Sequence, residues 1–224
     1  MGAYTQNHVP NGNLELWDAG PVPREMDAQV TNTVLSTLDR RTMDQQSPEA
    51  NLWAAIAGKN NRLVYEGFTS LRATIAAASA VDDFRLFPEG CLAALTGAST
   101  DDLRANLGFH HKYGFTFGAR SNVDNNLIRI RLVLRDATDV PRLFLNQALQ
   151  WVAFSIIGDA IIDIGLNLTW KRYGFGIPEV PYQDAGGNII ENMVWELSNG
   201  TAGAQVIDLD DIVLTDLTQS YTGP

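Results

Sequence analysis

The stretch Gln205–Thr215, QVIDLDDIVLT, decides how we interpret the rest of the chain. It is rich in β-branched residues and follows the turn-forming cluster NGTAG, which predicts a strand entered through a tight turn. Ile207 and Leu209 share one face of this strand. Because Ile212 and Leu214 fall out of strict alternation with them, we expect a β-bulge at the acidic residues in between.

Three carboxylates occupy four positions of the same strand: Asp208, Asp210 and Asp211. Buried without partners they would repel one another, and each would lose its hydration at a high cost in free energy. The residues alone leave two solutions open. One is a hard cation such as calcium, which binds oxygen ligands; the other is exposure of the carboxylates to solvent.

The composition narrows the class of protein. Of 224 residues, 45% are hydrophobic, and the 19 Gly and 9 Pro favour an all-β architecture over a helical one. A formal charge of -10 argues against binding to nucleic acid, which requires a basic surface. No apolar run has the length of a membrane span, and no signal peptide is visible, so we expect synthesis in the cytoplasm and no membrane partner.

Two segments alternate between apolar and polar residues with particular regularity, at 113–120 and 128–135. We interpret them as antiparallel strands that are neighbours in one sheet. Arg129, Arg131 and Arg135 line the polar face of the second strand. We favour a solvated sheet face for them, paired with some of the 26 acidic residues, and a contact between subunits is the alternative.

The other strand-like segments recur every 8–20 residues or so, which predicts a β-sandwich. Residues 31–43 have a weak helical period and predict a short helix or a surface excursion. Residues 1–12 are polar and rich in turn formers, so we expect an extended arm followed by a single domain over 13–224.

Four segments resemble, in the correct order, strands of carbohydrate-binding-module-like (galactose-binding-like) jelly rolls: NGNLELW at 11–17, YGFTFGARS at 113–121, TWKRYGF at 169–175 and LDDIVL at 209–214. This resemblance implies an all-β jelly-roll β-sandwich of two antiparallel sheets with short helical excursions. The form with LELW near the start and NGTAGAQ before the acidic pair is similar to stand-alone virion proteins of tailed bacteriophages.

In such modules a structural calcium ion often joins the first and last strands. The resemblance places its ligands at Glu15, Asp210 and Asp211, with Asp210 favoured, and backbone carbonyls nearby. An oxygen-ligated cation would neutralise facing carboxylates and connect the ends of the domain. A hydrogen-bonded or solvated cluster of carboxylates is the alternative.

The aromatic residues give candidates for a sugar-binding site. Large aromatic side chains usually serve packing, and we assign three of the five tryptophans to that role: Trp17, Trp170 and Trp195. Trp53 and Trp151 lie in less regular stretches and are candidates for ligand binding. Tyr182, beside a proline, is a candidate exposed aromatic of a loop.

No catalytic pattern emerges from the sequence. The three histidines are not spaced for a zinc site, and no nucleophile elbow, phosphate loop or dinucleotide fingerprint is present. We therefore expect a protein without enzymatic activity.

The resemblance and the absence of an enzyme pattern favour a structural virion protein, which is a decoration, cement or fibre component of a capsid or tail. Such a protein would sit on the virion surface, contact other virion proteins and form a homo-oligomer, with a trimer favoured. The alternative is a carbohydrate-binding module that mediates adhesion to host or environmental glycans.

Overall fold

A computed structural model describes residues 9, 12–15, 17, 24, 26–30, 37–42, 65–66, 69–88, 105–106, 110–138, 140–153 and 161–218. The strands in this part of the chain are β1 (Met26–Val30), β2 (Thr37–Thr42), β3 (Thr69–Ile75), β4 (Phe84–Pro88), β5 (Ala105–Asn106), β6 (Tyr113–Ser121), β7 (Asn126–Asp136), β8 (Pro141–Leu145), β9 (Trp151–Ala153), β10 (Ile162–Leu166), β11 (Lys171–Ile177), β12 (Ile190–Asn199) and β13 (Gln205–Asp216).

The strands form two antiparallel sheets. One has the order β11-β6-β13-β3-β2, and the other has the order β1-β4-β12-β7-β8-β9, with β10 also paired to β7 and β5 to β12. The prediction of an all-β jelly-roll sandwich is confirmed. No helix occurs among the residues whose structure is described, so the expected helical excursions are not seen there, and β2 occupies the second half of the segment with the weak helical period.

The core lies between the two sheets and is filled by alternate residues of the longest strands. Phe115 and Phe117 of β6 and Ile130 and Leu132 of β7 are fully buried in one hydrophobic cluster. Trp195 of β12 packs on Phe115, with ring centroids 6.1 Å apart. Burial of such alternating apolar faces is the main favourable term in folding.

The prediction that β6 and β7 are neighbours in one sheet is wrong. β6 pairs with β11 and β13, whereas β7 pairs with β12, β8 and β10 of the opposite sheet. The turn between them carries the chain from one sheet to the other. Alternation shows which face of a strand is buried, but both sheets of a sandwich bury a face in the same core, so it does not show which strands pair.

The predicted bulge in β13 is confirmed. The pairing register with β6 shifts between Asp210 and Val213, and Asp211 has a φ of 45°. The extra residue brings Ile212 and Leu214 back to the core, where they join the buried side chains of the first half of the strand.

Of the predicted arm at residues 1–12, the structure describes two residues. Val9 is buried in the core cluster, and the carbonyl of Gly12 accepts a hydrogen bond from the backbone N–H of Ile212 at 2.6 Å. The division into arm and domain stays a prediction. Within the described ranges, no helix is long and apolar enough to cross a membrane.

Candidate functional site

Asp208, the first of the three acids in β13, lies between two arginines. Arg72 of β3 donates from Nε and Nη2 to its two carboxylate oxygens at 2.6 and 2.8 Å, and Arg120 of β6 donates from Nε at 2.7 Å. All three side chains are buried, and the arginines are the register partners of Asp208 on its two neighbouring strands. The charge of Asp208 is therefore balanced by protein cations, a third solution beside a metal ion and solvent.

Asp211, the residue in the bulge, forms an ion pair with Nη1 of Arg172 on β11. The same guanidinium nitrogen donates to the backbone carbonyl of Asp211 at 3.2 Å. Asp211, like Asp208, is therefore paired with an arginine. Its position is partly exposed, and ion pairs at such positions add little to stability.

Asp210 is fully buried and is bound by backbone N–H groups. Its Oδ2 accepts from Tyr65 at 2.9 Å and Glu66 at 3.0 Å, and its Oδ1 accepts from Asp211 at 2.7 Å. Burial raises the pKa of Asp210 to about 7, against the opposing effect of the three N–H donors. The carboxylate holds the 65–66 segment against the bulge.

The side chain of Glu15 faces Thr69 at the start of β3. Its two carboxylate oxygens lie 3.3 Å from the backbone nitrogen and 3.4 Å from Oγ1 of that threonine. Leu14, beside it, offers its carbonyl to Nε1 of Trp17 at 2.5 Å and to the Thr69 hydroxyl.

These contacts bear on the predicted calcium site at Glu15, Asp210 and Asp211. The link between Gly12 and Ile212 joins the first segment to the last strand, as such a site requires. Each of the three carboxylates, however, already has N–H or guanidinium donors, and the described residues contain no group of three or more Asp, Glu, His or Cys that could hold a metal ion. The calcium ion stays a prediction.

The prediction of a solvated face for the three arginines of β7 is wrong. Arg131 is buried and donates to Glu196 at 2.5 Å and to Asp82 at 2.8 Å, and Arg135 is fully buried. Arg129 is partly buried and pairs with Asp163 at 3.0 Å. Glu196 and Asp163 are the register partners of Arg131 and Arg129, so the pairing with acids follows from strand neighbours that the sequence does not reveal.

The assignment of three tryptophans to packing is confirmed for Trp195, which is buried in the core, and for Trp17, which packs against it. Trp170 is partly buried, and the guanidinium carbon of Arg120 lies over its ring, 5.1 Å from the ring centroid. Trp53, a predicted ligand-binding residue, lies outside the described residues.

Trp151, the other predicted ligand-binding tryptophan, lines a groove of about 460 Å³ at one end of the sandwich. The lining residues come from β8, β9 and the segment after β11, and comprise Arg142, Leu143, Trp151, Ala153, Glu179, Pro181, Gln183, Asp184, Ala185 and Gly186. The indole packs against the core, and its N–H donates to the carbonyl of Glu179 at 3.2 Å. The ring is therefore held in one orientation.

Three charged side chains of the groove have defined partners. Oε1 of Glu179 lies within hydrogen-bond distance of Nδ1 of His110, at 2.7 Å. Arg142 donates from Nε and Nη2 to Oδ2 of Asp136, at 2.6 and 2.5 Å. Hydrogen bonds from the side chain and backbone of Asn188 hold the pKa of Asp184 below its ordinary value, so this carboxylate stays ionised.

Tyr182 lies in the loop of the groove but is not one of its lining residues. The residue is 44% exposed, and its carbonyl accepts a hydrogen bond from the N–H of Ile190 at 3.0 Å. The structure thus brings Trp151 and the loop of Tyr182 to the same end of the sandwich. The sequence alone does not identify the polar groups of the groove. The signal that could have found them is the turn-forming run DAGG at 184–187, which is typical of an exposed loop.

No family model and no curated protein matches the sequence. Among solved structures, the chain is similar to a candidate sugar-binding protein from Bacteroides thetaiotaomicron, with a TM-score of 0.52 and 9% identity over 94% of this chain and 100% of that one. The two share the fold, a jelly-roll β-sandwich of two antiparallel sheets. Carbohydrate-binding modules are among the further matches, at TM-scores below 0.5.

Two other matches differ in kind. A cyclase from Fischerella sp. TAU has a TM-score of 0.50 and 11% identity over 95% of this chain and 97% of that one. The enzymatically active domain of tailspike protein 4 of bacteriophage CBA120 has a TM-score of 0.49 and 11% identity over 94% of this chain, which spans only 21% of that one. At this level of identity the similarity shows the fold alone.

Proposed function

We propose that the protein binds carbohydrate without catalysis and that the groove beside Trp151 is the binding site. The proposal rests on the indole of Trp151, which is fixed at the wall of a groove that also presents polar groups. A sugar ring has apolar C–H faces and polar edges, so it requires an aromatic surface and hydrogen-bonding groups in one site.

The polar groups are suitably placed to bind hydroxyl groups. Gln183 and Glu179 are exposed at the groove, and Asp184 presents a carboxylate whose position is set by its own loop, through the N–H groups of Gly186 at 2.8 Å and Asn188 at 2.9 Å. A groove of about 460 Å³ lies within the usual range for small-ligand sites. The fold, shared with a candidate sugar-binding protein, supports the same role.

A glycan array followed by titration calorimetry tests this proposal. We expect Trp151→Ala to weaken binding of a retained glycan by up to about tenfold, since one aromatic stacking contact contributes about 0.5–1.5 kcal/mol. Trp151→Phe should keep part of the affinity, because it retains an aromatic face but loses the indole N–H. Melting curves of both variants control for loss of the packing that Trp151 makes with the core.

Tyr182→Ala is the matched control, since it removes an exposed aromatic that does not line the groove. Equal losses of glycan affinity in the two alanine variants would indicate that Tyr182 also belongs to the binding site. Absence of any glycan retained by the parent protein would contradict the proposal.

A structural role on the virion surface is the second proposal. Its support is the form of the sequence with LELW near the start and NGTAGAQ before the acidic pair, which resembles stand-alone virion proteins of tailed bacteriophages. In this role the protein would contact other virion proteins of a capsid or tail, as a homo-oligomer with a trimer favoured.

Light scattering of the purified protein, with and without chelator, tests this second proposal. A stable trimer supports it, and loosening by the chelator would add the calcium ion. A protein that stays monomeric with and without chelator would contradict it. The two roles are compatible, because a protein of the virion surface can also bind glycans.

A further inference from the structure

We propose that the groove beside Trp151 selects neutral or amine-bearing glycans and rejects anionic ones. This inference rests on the proposed carbohydrate-binding role and adds the chemical class of the ligand. The charges that line the groove, and the partners that each of them already has, favour this selectivity.

The arginine of the groove already pairs with a carboxylate of the protein. Arg142 would be the natural group to bind a sugar carboxylate, since guanidinium and carboxylate form paired hydrogen bonds. Here its Nε and Nη2 are directed at Oδ2 of Asp136, at 2.6 and 2.5 Å.

Asp136 is itself held in place to receive this arginine. Its Oδ1 accepts the hydroxyl and N–H of Thr138 at 2.8 and 2.9 Å and the N–H of Val140 at 3.1 Å. These hydrogen bonds and that of Arg142 hold the pKa of Asp136 below its ordinary value, although burial opposes them, so the positive charge of Arg142 is neutralised by a fixed partner.

Two carboxylates remain at the groove. Glu179 is 51% exposed and Asp184 is ionised through its hydrogen bonds with Asn188. Two further groups lie beside them: Arg142, whose charge also acts on Asp184, and His110, whose Nδ1 lies 2.7 Å from Glu179. With Arg142 paired to Asp136, the carboxylates that line the groove are those of Glu179 and Asp184, in a chain with a formal charge of -10.

Two carboxylates beside an indole suit a ligand that carries an ammonium group or no charge. An ammonium group gains from the carboxylates and from the face of the tryptophan. A uronic or sialic acid would instead bring a third carboxylate to the site, and like charges at short distance repel. The groove thus discriminates among glycans by their charge.

The test uses matched glycan pairs on an array: each neutral glycan with its sialylated or uronic-acid form, and each N-acetylated glycan with its free-amine form. At low salt we expect the acidic member to bind about fivefold more weakly and the amine to bind equally or more tightly, and the difference should shrink at high salt. Glu179→Gln should reduce the ratio of neutral to acidic binding. Asp124→Asn makes the same charge change in the exposed turn after β6, at the far end of the sandwich, and should leave the ratio unchanged.

Acidic glycans that bind as tightly as their neutral partners would overturn this inference and leave the carbohydrate-binding role intact. An equal change of the ratio in the Asp124 variant would overturn it too, because the effect would then come from net charge. Failure of every glycan to bind would overturn the binding role and this inference together.

Discussion

Arg72 and Asp208 lie opposite each other on adjacent strands, joined through two hydrogen bonds of 2.6 and 2.8 Å, and both side chains are fully buried. Each loses its hydration in this position, so the pair depends on its own geometry and on Arg120, the second cation beside Asp208.

We predict that Asp208→Asn lowers the free energy of unfolding by about 3–5 kcal/mol, because it leaves two buried arginines without their carboxylate. Urea denaturation measures the change. Asp211→Asn is the control, since it breaks a partly exposed pair and should cost at most about 1 kcal/mol. Similar losses of unfolding free energy in the two variants would contradict the prediction.

Asp210 gives the stability a defined pH dependence. Its pKa is about 7 in the folded protein and 3.8 without the fold, so between these values the folded state holds a proton that the unfolded state has lost. The contribution of Asp210 is thus present in full below pH 4 and declines as pH rises to 7, by up to about 1.4 kcal/mol per unit. Urea denaturation from pH 4 to 8 should show a flatter profile for Asp210→Asn than for the parent. Parallel profiles would contradict the prediction.

The predicted calcium ion would act on the same carboxylate. A cation beside Asp210 favours its ionised form, so added calcium should raise the melting temperature most at pH 7–8 and least near pH 4. Asp210→Ala should abolish the response to calcium, and magnesium at the same concentration is the ionic-strength control. A melting temperature that neither calcium nor a chelator changes would remove the calcium prediction.

Gly118 allows the ring of Tyr65 to lie directly on the outer face of β6. A Cβ on this glycine would lie 2.6 Å from Cδ1 of the tyrosine, whose N–H binds Asp210. We expect Gly118→Ala to lower the free energy of unfolding by about 1–3 kcal/mol, as overpacking does. Gly176→Ala is the matched control, because nothing lies within 4 Å of its added Cβ. Thermal melts of the two variants decide, and equal melting temperatures would contradict the prediction.

The candidate groove was predictable only in part. Trp151 could be selected because it lies outside the regular alternation, and the DAGG run marked an exposed loop. Nothing in the sequence indicated that this loop meets β8 and β9, because they are separated by more than 25 residues. The polar groups around the indole were therefore found only in the structure.

What the sequence by itself determined is the fold class, the buried face of each regular strand and the bulge in β13. These depend on local patterns, since a period of two residues and its interruption are properties of one segment. The tertiary structure alone decided that β6 and β7 lie in opposite sheets and that arginines neutralise Asp208 and Asp211. The physical reason is that a buried charge is balanced by its neighbour across the strands, and that neighbour is set by the pairing register between distant segments.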